Sequence, residues 1–208
     1  MRFVVTSSKD YVPFAEMAIA SIRYHHPKGH IVHMAQAGSK TPEEADEAWY
    51  SADLDPTDMP RFLCEKMKLL SLGGDTPTAV LDADTLTCKP LDDVWDREFD
   101  LALATRLTTG WGKHPYNSGV IFCRNAKFWA GLLELMKSVP YYSTFGGDQE
   151  ALAVEATSGK WRFVELPGKE WHHYEVSPRH LPDARIVHFK GARRDFMRQH
   201  FKDGKWKS

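Results

Sequence analysis

The sequence predicts an α/β protein with a mostly parallel central sheet flanked by helices. Two observations carry that expectation. Residues 3–6, 11–25 and 31–34 read as strand, helix and strand, the spacing of a βαβ unit with a right-handed crossover. Later apolar runs at 79–81, 101–105, 116–123, 163–167 and 185–189 alternate with helical patterns at 61–72 and 125–138. A chain of 208 residues is long enough for a sizeable core. It reads as a single domain, 1–208, with a basic C-terminal tail from about residue 190.

Phe3-Val4-Val5-Thr6 is a short apolar, β-branched run, and Thr6-Ser7-Ser8-Lys9-Asp10 after it is a polar loop. Phe14, Met17, Ala18 and Ile22 recur at helical spacing, and His26-Pro27-Lys28-Gly29 ends that helix. Ligands of parallel sheets bind beyond the carboxyl ends of the strands, so the 6–10 loop is a candidate site as well as a plain connection. Residues 41–50 are acidic, with Thr41 as N-cap and Pro42 at the first helical position, and are expected to be helical. Residues 51–60 form a turn-rich connection. The helix at 61–72 is stopped by Gly73-Gly74-Asp75. Residues 90–95 form a turn or short helix. Gly110, Gly112 and Pro115 make 108–115 a loop with Trp111 at its tip. Residues 116–123 enter a strand through a small polar turn. Gly146-Gly147-Asp148-Gln149-Glu150 opens a further helix, where Asp148 is placed to cap free N–H groups.

The chain is organised around Val80-Leu81-Asp82-Ala83-Asp84-Thr85-Leu86. On an extended strand Asp82 and Asp84 point to one side, roughly 6–7 Å apart. Two carboxylates at a strand end suit a divalent cation that shares its shell with phosphates and water, Mn²⁺ or Mg²⁺. The plain alternative is a strand end whose aspartates cap the next turn.

Composition narrows the classes. A net charge of −1 gives no overall pull toward nucleic acid or an anionic membrane. Cys64, Cys88 and Cys123 lack metal-ligand spacing, cannot all pair and sit in apolar stretches, which fits reduced thiols and a cytoplasmic setting. The N-terminus lacks the apolar stretch of a signal peptide. No apolar run approaches the ~20 residues that span a bilayer.

Four motifs stand in order along the chain: Leu81-Asp82-Ala83-Asp84-Thr85, Tyr116-Asn117-Ser118-Gly119-Val120, Gly147-Asp148-Gln149 and Ile186-Val187-His188-Phe189-Lys190-Gly191. In that set, and in Tyr11-Val12-Pro13 near the start, the chain resembles nucleotide-sugar glycosyltransferases of the GT-A fold. It is most similar in pattern to the family 8-like group of glycogenin and bacterial galactosyltransferases. The resemblance covers nearly the whole chain and implies a Rossmann-like GT-A fold and transfer of a hexose from UDP-glucose or UDP-galactose, with retention.

It also implies roles. Asp84 would ligate Mn²⁺ or Mg²⁺, Asp82 would touch metal and ribose, and His188 would be the third protein ligand. Taken singly, His188 is as readily a core histidine at a strand end. Thr6, Ser7 and Tyr11 would hold base and ribose, although Ser8-Lys9-Asp10 departs from the family's usual loop. Lys66 would reach the donor sugar or phosphates as a charge stabiliser; otherwise it is a solvated helix lysine. Asn117, Ser118 and Asp148 would bind the donor, and Gln149 would lie beneath its anomeric carbon. Asp148 or Glu150 could instead serve as a base for inversion. Lys190, Gly191 and Arg194 would meet the diphosphate. Arg194 replaces the family's lysine and keeps its charge, while the Pro-Trp that follows in the family is absent. Trp111 is a candidate for stacking on the acceptor or packing on its own loop.

The acceptor is not legible: glycan, protein, lipid and nucleic acid all stay open. Lys190, Arg193, Arg194, Arg198, Lys202, Lys205 and Lys207, interleaved with Phe196, Phe201 and Trp206, would suit nucleic acid or an anionic membrane surface. A catalytically inactive GT-A-like binding module is a further alternative. A nucleotidyltransferase ranks below these, because residues 6–10 carry no glycine for a phosphate loop.

Overall fold

A computed structural model describes residues 1–106, 114–144, 146–174, 177 and 179–207. In chain order it holds β1 (Arg2–Ser7), α1 (Val12–His25), β2 (His30–Gln36), β3 (Glu47–Ser51), α2 (Met59–Leu72), β4 (Thr78–Asp82) and β5 (Thr85–Thr87). There follow β6 (Leu101–Thr105), β7 (Tyr116–Cys123), α3 (Ala126–Ser138), α4 (Gly147–Ala156), β8 (Phe163–Leu166), α5 (Gly168–Trp171), β9 (Ile186–His188) and α6 (Arg194–Lys202).

Seven strands form one sheet in the order β3-β2-β1-β4-β7-β6-β8. Only β7 runs against its neighbours; the β3–β2, β2–β1, β1–β4 and β6–β8 pairs are parallel. The expected mostly parallel α/β architecture is present. Both faces are covered, which explains the near-continuous apolar runs. Phe3, Val5, Ala79 and Leu81 pack on one face with α1, β9 and α6 residues such as Ile19, Ile186 and Met197. Val4 and Val80 alternate onto the other, against Leu63, Met67, Phe128 and Leu132 of α2 and α3.

Register lines up the strand ends. Thr6 of β1 is level with Asp82 of β4. Leu81 faces Val120 of the reversed strand β7, which puts the 117–119 segment beside Asp82. A separate two-stranded ladder, β5 with β9, sets His188 opposite Thr85.

Three expectations change. Residues 41–50 form no helix, and 47–51 are instead β3. Acidity and Pro42 argue for a helix locally, but the outer edge of β2 takes up the Glu-Ala-Trp-Tyr-Ser run as a parallel partner. Asp46 fixes the entry by accepting the Ile31 N–H at 2.7 Å and pairing with Arg23. Second, β4 ends at Asp82, and Ala83 and Asp84 form a turn held by the Thr85 hydroxyl on the Asp82 carbonyl at 2.8 Å. The two aspartates therefore converge through a turn, not through strand alternation. Third, the C-terminal stretch contains α6. Its Met197 and His200 are buried, and Phe201 stacks on Trp206 at 5.1 Å.

Gly168 shows how closely α5 is seated. A Cβ there would stand 1.8 Å from the Thr105 carbonyl oxygen, a backbone atom that cannot swing aside. Gly168→Ala is expected to destabilise the protein by about 1–3 kcal/mol, the usual range for overpacking, read from denaturant unfolding. A midpoint equal to wild type would refute that seating.

His33 is fully buried on β2, with its Nε2 2.7 Å from the Ser7 hydroxyl. Burial pulls its imidazole down to about 4. The unfolded chain takes up that proton below about pH 6.5, the folded chain only near 4. Folding stability should therefore be intact above 6.5 and fall as pH drops toward 4, by on the order of 3 kcal/mol. His33→Gln should flatten that limb of the stability–pH curve, and an unchanged slope would count against it.

Candidate functional site

Asp82 and Asp84 bracket the turn after β4, and the β5–β9 ladder carries His188 back onto them. His188 Nε2 lies 2.8 Å from Asp84 Oδ1 and 3.9 Å from Asp82 Oδ2. One ligand atom from each of the three residues falls within 4.8 Å of the other two. Carboxylate and imidazole donors at this spacing fit a divalent cation. Gly119 keeps the cradle open. A Cβ there would stand 2.5 Å from His188 Cε1 and 2.7 Å from Asp82 Oδ2.

Two cations face the carboxylates. Lys66 of α2 is only 4% exposed, with Nζ 3.4 Å from Asp82 Oδ1, so it is not a solvated helix lysine. Arg194, at the start of α6, donates from Nε to Asp84 Oδ2 at 2.9 Å, and its guanidinium lies over the Tyr11 ring at 4.6 Å. Burial of Asp84 opposes its ionisation. The charge and hydrogen bonds of His188 and Arg194 outweigh that and hold its carboxyl at about 2. Lys190 sits over Tyr174, and burial, with the nearby Arg106, brings its ammonium down to about 8 despite Asp82, Asp84 and Asp148. Gly191 next to it has φ +60°, the left-handed conformation that favours glycine.

The reversed strand β7 and the start of α4 make the adjoining wall. Asn117 donates from Nδ2 to Gln149 Oε1 at 2.9 Å and accepts the Gly119 N–H on its own side-chain oxygen. Ser118 donates to Asp148 Oδ2 at 2.8 Å, and Asp148 Oδ1 accepts the N–H of Gly146, the residue before α4. Capping and site-building thus coincide in Asp148. Its burial pushes its carboxyl upward against the lowering effects of Ser118 and Lys66. Gln149 is half-buried at the same corner.

On the far side, Thr6 and Ser7 end β1 as buried residues, and Tyr11, the residue before α1, is half-buried under Arg194. The structure thus brings Asp82, Asp84, His188, Lys66, Arg194 and Tyr11 together, with Asn117, Ser118, Asp148 and Gln149 as one linked corner. Trp111 lies outside the described residues. The C-terminal aromatics are built into the fold: Trp206 is buried, and Arg198 lies over Phe14.

Two residues escape the sequence reading. Gly119 stands inside a quoted motif, but its value as an absent side chain depends on where His188 arrives. His172, fully buried, has its Nε2 2.8 Å from His188 Nδ1. Burial first, then the neighbouring His188 and Lys190, holds His172 well below the usual histidine range, so it stays neutral. Its only sequence signal is the pair His172-His173 before the last strand.

No family model matches the chain, and no curated protein matches it. Solved structures do. The galactosyltransferase LgtC, crystallised in complex with donor and acceptor sugar analogs, superposes with a TM-score of 0.66 at 16% identity over 96% of this chain and 95% of its own. The glycosyltransferase GlyE of Streptococcus pneumoniae TIGR4 gives 0.67 at 16% identity; this chain is 95% covered and spans 60% of that one. A glycosyltransferase involved in glycosylation of the major capsid of PBCV-1 gives 0.67 at 15% identity, over 95% of this chain and 98% of its own. At such identities the likeness is one of fold, and it agrees with the architecture read from the strands: this chain has the GT-A fold of those glycosyltransferases.

Proposed function

We propose that this protein is a metal-dependent glycosyltransferase that moves a hexose from a nucleotide sugar, UDP-glucose or UDP-galactose, to an acceptor, with retention at the anomeric carbon. The observation that supports this most is the convergence of Asp82, Asp84, His188, Lys66 and Arg194 at the carboxyl end of β4, in a fold shared with a transferase solved with donor and acceptor sugar analogs. Open α/β sheets bind ligands at this end.

Asp82, Asp84 and His188 would hold the cation, Mn²⁺ or Mg²⁺. When bound, it neutralises charge on the departing diphosphate. Lys66, Lys190 and Arg194 bind the phosphates, helped by backbone at Gly191, and Arg194 can do so with two parallel N–H bonds. Thr6, Ser7 and Tyr11 hold base and ribose. Asn117, Ser118 and Asp148 take donor hydroxyls. Gln149, whose Oε1 already accepts from Asn117, lies beneath the anomeric carbon. An amide is a poor nucleophile, which favours front-face attack assisted by the leaving phosphate over a covalent intermediate, and Asp148, engaged by Ser118 and Gly146, is a poor candidate for the base that inversion needs. Free Cys64, Cys88 and Cys123 fit a cytoplasmic setting, and no described helix is long and apolar enough to cross a membrane.

The testing experiment is thermal unfolding with a panel of nucleoside diphosphates and nucleotide sugars, with Mn²⁺ or with chelator. UDP at a hundred times its Kd should raise the midpoint by roughly 5–10 °C, only when metal is present. Absence of any shift in folded protein would leave the binding-module reading in its place.

Asp84→Asn should cut metal-dependent turnover by more than ~100-fold, beyond what loss of a residue merely supporting a ligand costs, while circular dichroism stays native. Near wild-type turnover in that variant would sink the assignment.

A further inference from the structure

Directly behind the proposed ligand set lies a buried polar group that it does not explain, His172. It follows α5, and its backbone N–H is tied to the Gly168 carbonyl at 3.0 Å. The next residue pairs with the edge of β9 away from β5: His173 donates its N–H to Ile186 and accepts that of His188 at 2.7 Å. These bonds press the two imidazoles together, with ring centroids 5.1 Å apart. His172 Nδ1 has no hydrogen-bond partner among the described residues.

The 2.8 Å hydrogen bond between His172 Nε2 and His188 Nδ1 holds one proton between the two rings. With that proton on His172, His188 carries its own on Nε2 and donates it to Asp84 Oδ1 at 2.8 Å. With it on His188 Nδ1, the Nε2 lone pair of His188 faces two carboxylates, which a cation between them stabilises.

We propose that His172 is a positioning residue that, by accepting a hydrogen bond from the Nδ1–H of His188, frees His188 Nε2 to be a ligand when a divalent cation enters. The inference rests on the proposed cation site. The exchange balances: the Nε2 proton of His188 leaves to water, the shared proton crosses to His188, and Nδ1 of His172 takes one up. Ligand histidines are commonly oriented through the ring nitrogen that does not touch the metal. Here the orienting group is a second histidine, so the pair can serve both the cation-free and the cation-bound state.

The test is Mn²⁺ affinity of the full chain, read by electron paramagnetic resonance of free Mn²⁺ with and without UDP. His172→Leu should weaken binding roughly 10- to 100-fold. His172→Gln, whose side-chain oxygen can accept the same bond, should stay closer to wild type. A folded His172→Leu protein that binds as tightly as wild type overturns the proposal, and so do equal losses in both variants, which packing alone would explain. Wild-type protein that binds no Mn²⁺ even with UDP overturns the cation site itself, and this inference with it. Ring ¹⁵N shifts of wild-type His188 need no variant: addition of Mg²⁺ should move its protonated nitrogen from Nε2 to Nδ1, and an unmoved tautomer is a refutation.

Discussion

A carboxylate held at the carboxyl end of β4 must be neutralised there, and the rest of the crevice follows from that constraint. Asp84 has a side chain only 8% exposed. A buried unpaired carboxylate costs several kcal/mol even after relaxation, on the order of what a whole domain can lose. Both its oxygens are therefore engaged, one by His188 and one by Arg194. Neither partner is local: they lie 104 and 110 residues further along the chain. Closing those long loops requires β9 to dock on β5 and α6 to dock near α1. The charge at Asp84 thus helps fix the place of the C-terminal quarter of the molecule.

The sheet topology makes the crevice possible. If β7 ran parallel to β4, the start of β7 would lie at the opposite end of the sheet from Asp82. Because it is reversed, its first residues meet the end of β4. Asn117, Ser118 and Gly119 then stand between the aspartates and the opening turn of α4. One strand supplies three different services: an amide that locks Gln149, a hydroxyl that holds Asp148, and a missing side chain that leaves room for His188.

The sequence was legible where a signal is local. Strand and helix positions in the first 40 residues follow from apolar periodicity, and the aspartates, Asn117, Asp148 and His188 stand in short patterned runs. It misled where tertiary context decides. At 41–50 an acidic, proline-led segment reads as a helix, yet an unpaired sheet edge made strand pairing the better use of Trp49 and Tyr50. The C-terminal basic residues hid the buried positions Met197 and His200 of α6. Lys66 is a similar case: no helical pattern separates a lysine in water from one buried against Asp82. Gly119 and His172 could not be read, since their meaning lies in distances to His188 that only the fold creates.

The charge arrangement also bears on how ligands would enter. Asp82 and Asp84 face Lys66 and Arg194, two carboxylates against two cations. A divalent cation alone would join a cluster already in balance and meet both cations at close range, which weakens its hold. A diphosphate alone would meet the two carboxylates. Brought together, the pair adds little net charge, and each screens the other from the like charges in the crevice. Cation and diphosphate should therefore favour one another's binding, a coupling that is reciprocal by linkage. Arg194 is the residue best placed to exchange partners, since its guanidinium touches Asp84 on one side and the Tyr11 ring on another. A move from carboxylate to phosphate would keep it paired throughout, so the switch costs no unpaired buried charge, and α6 can stay docked while the crevice fills.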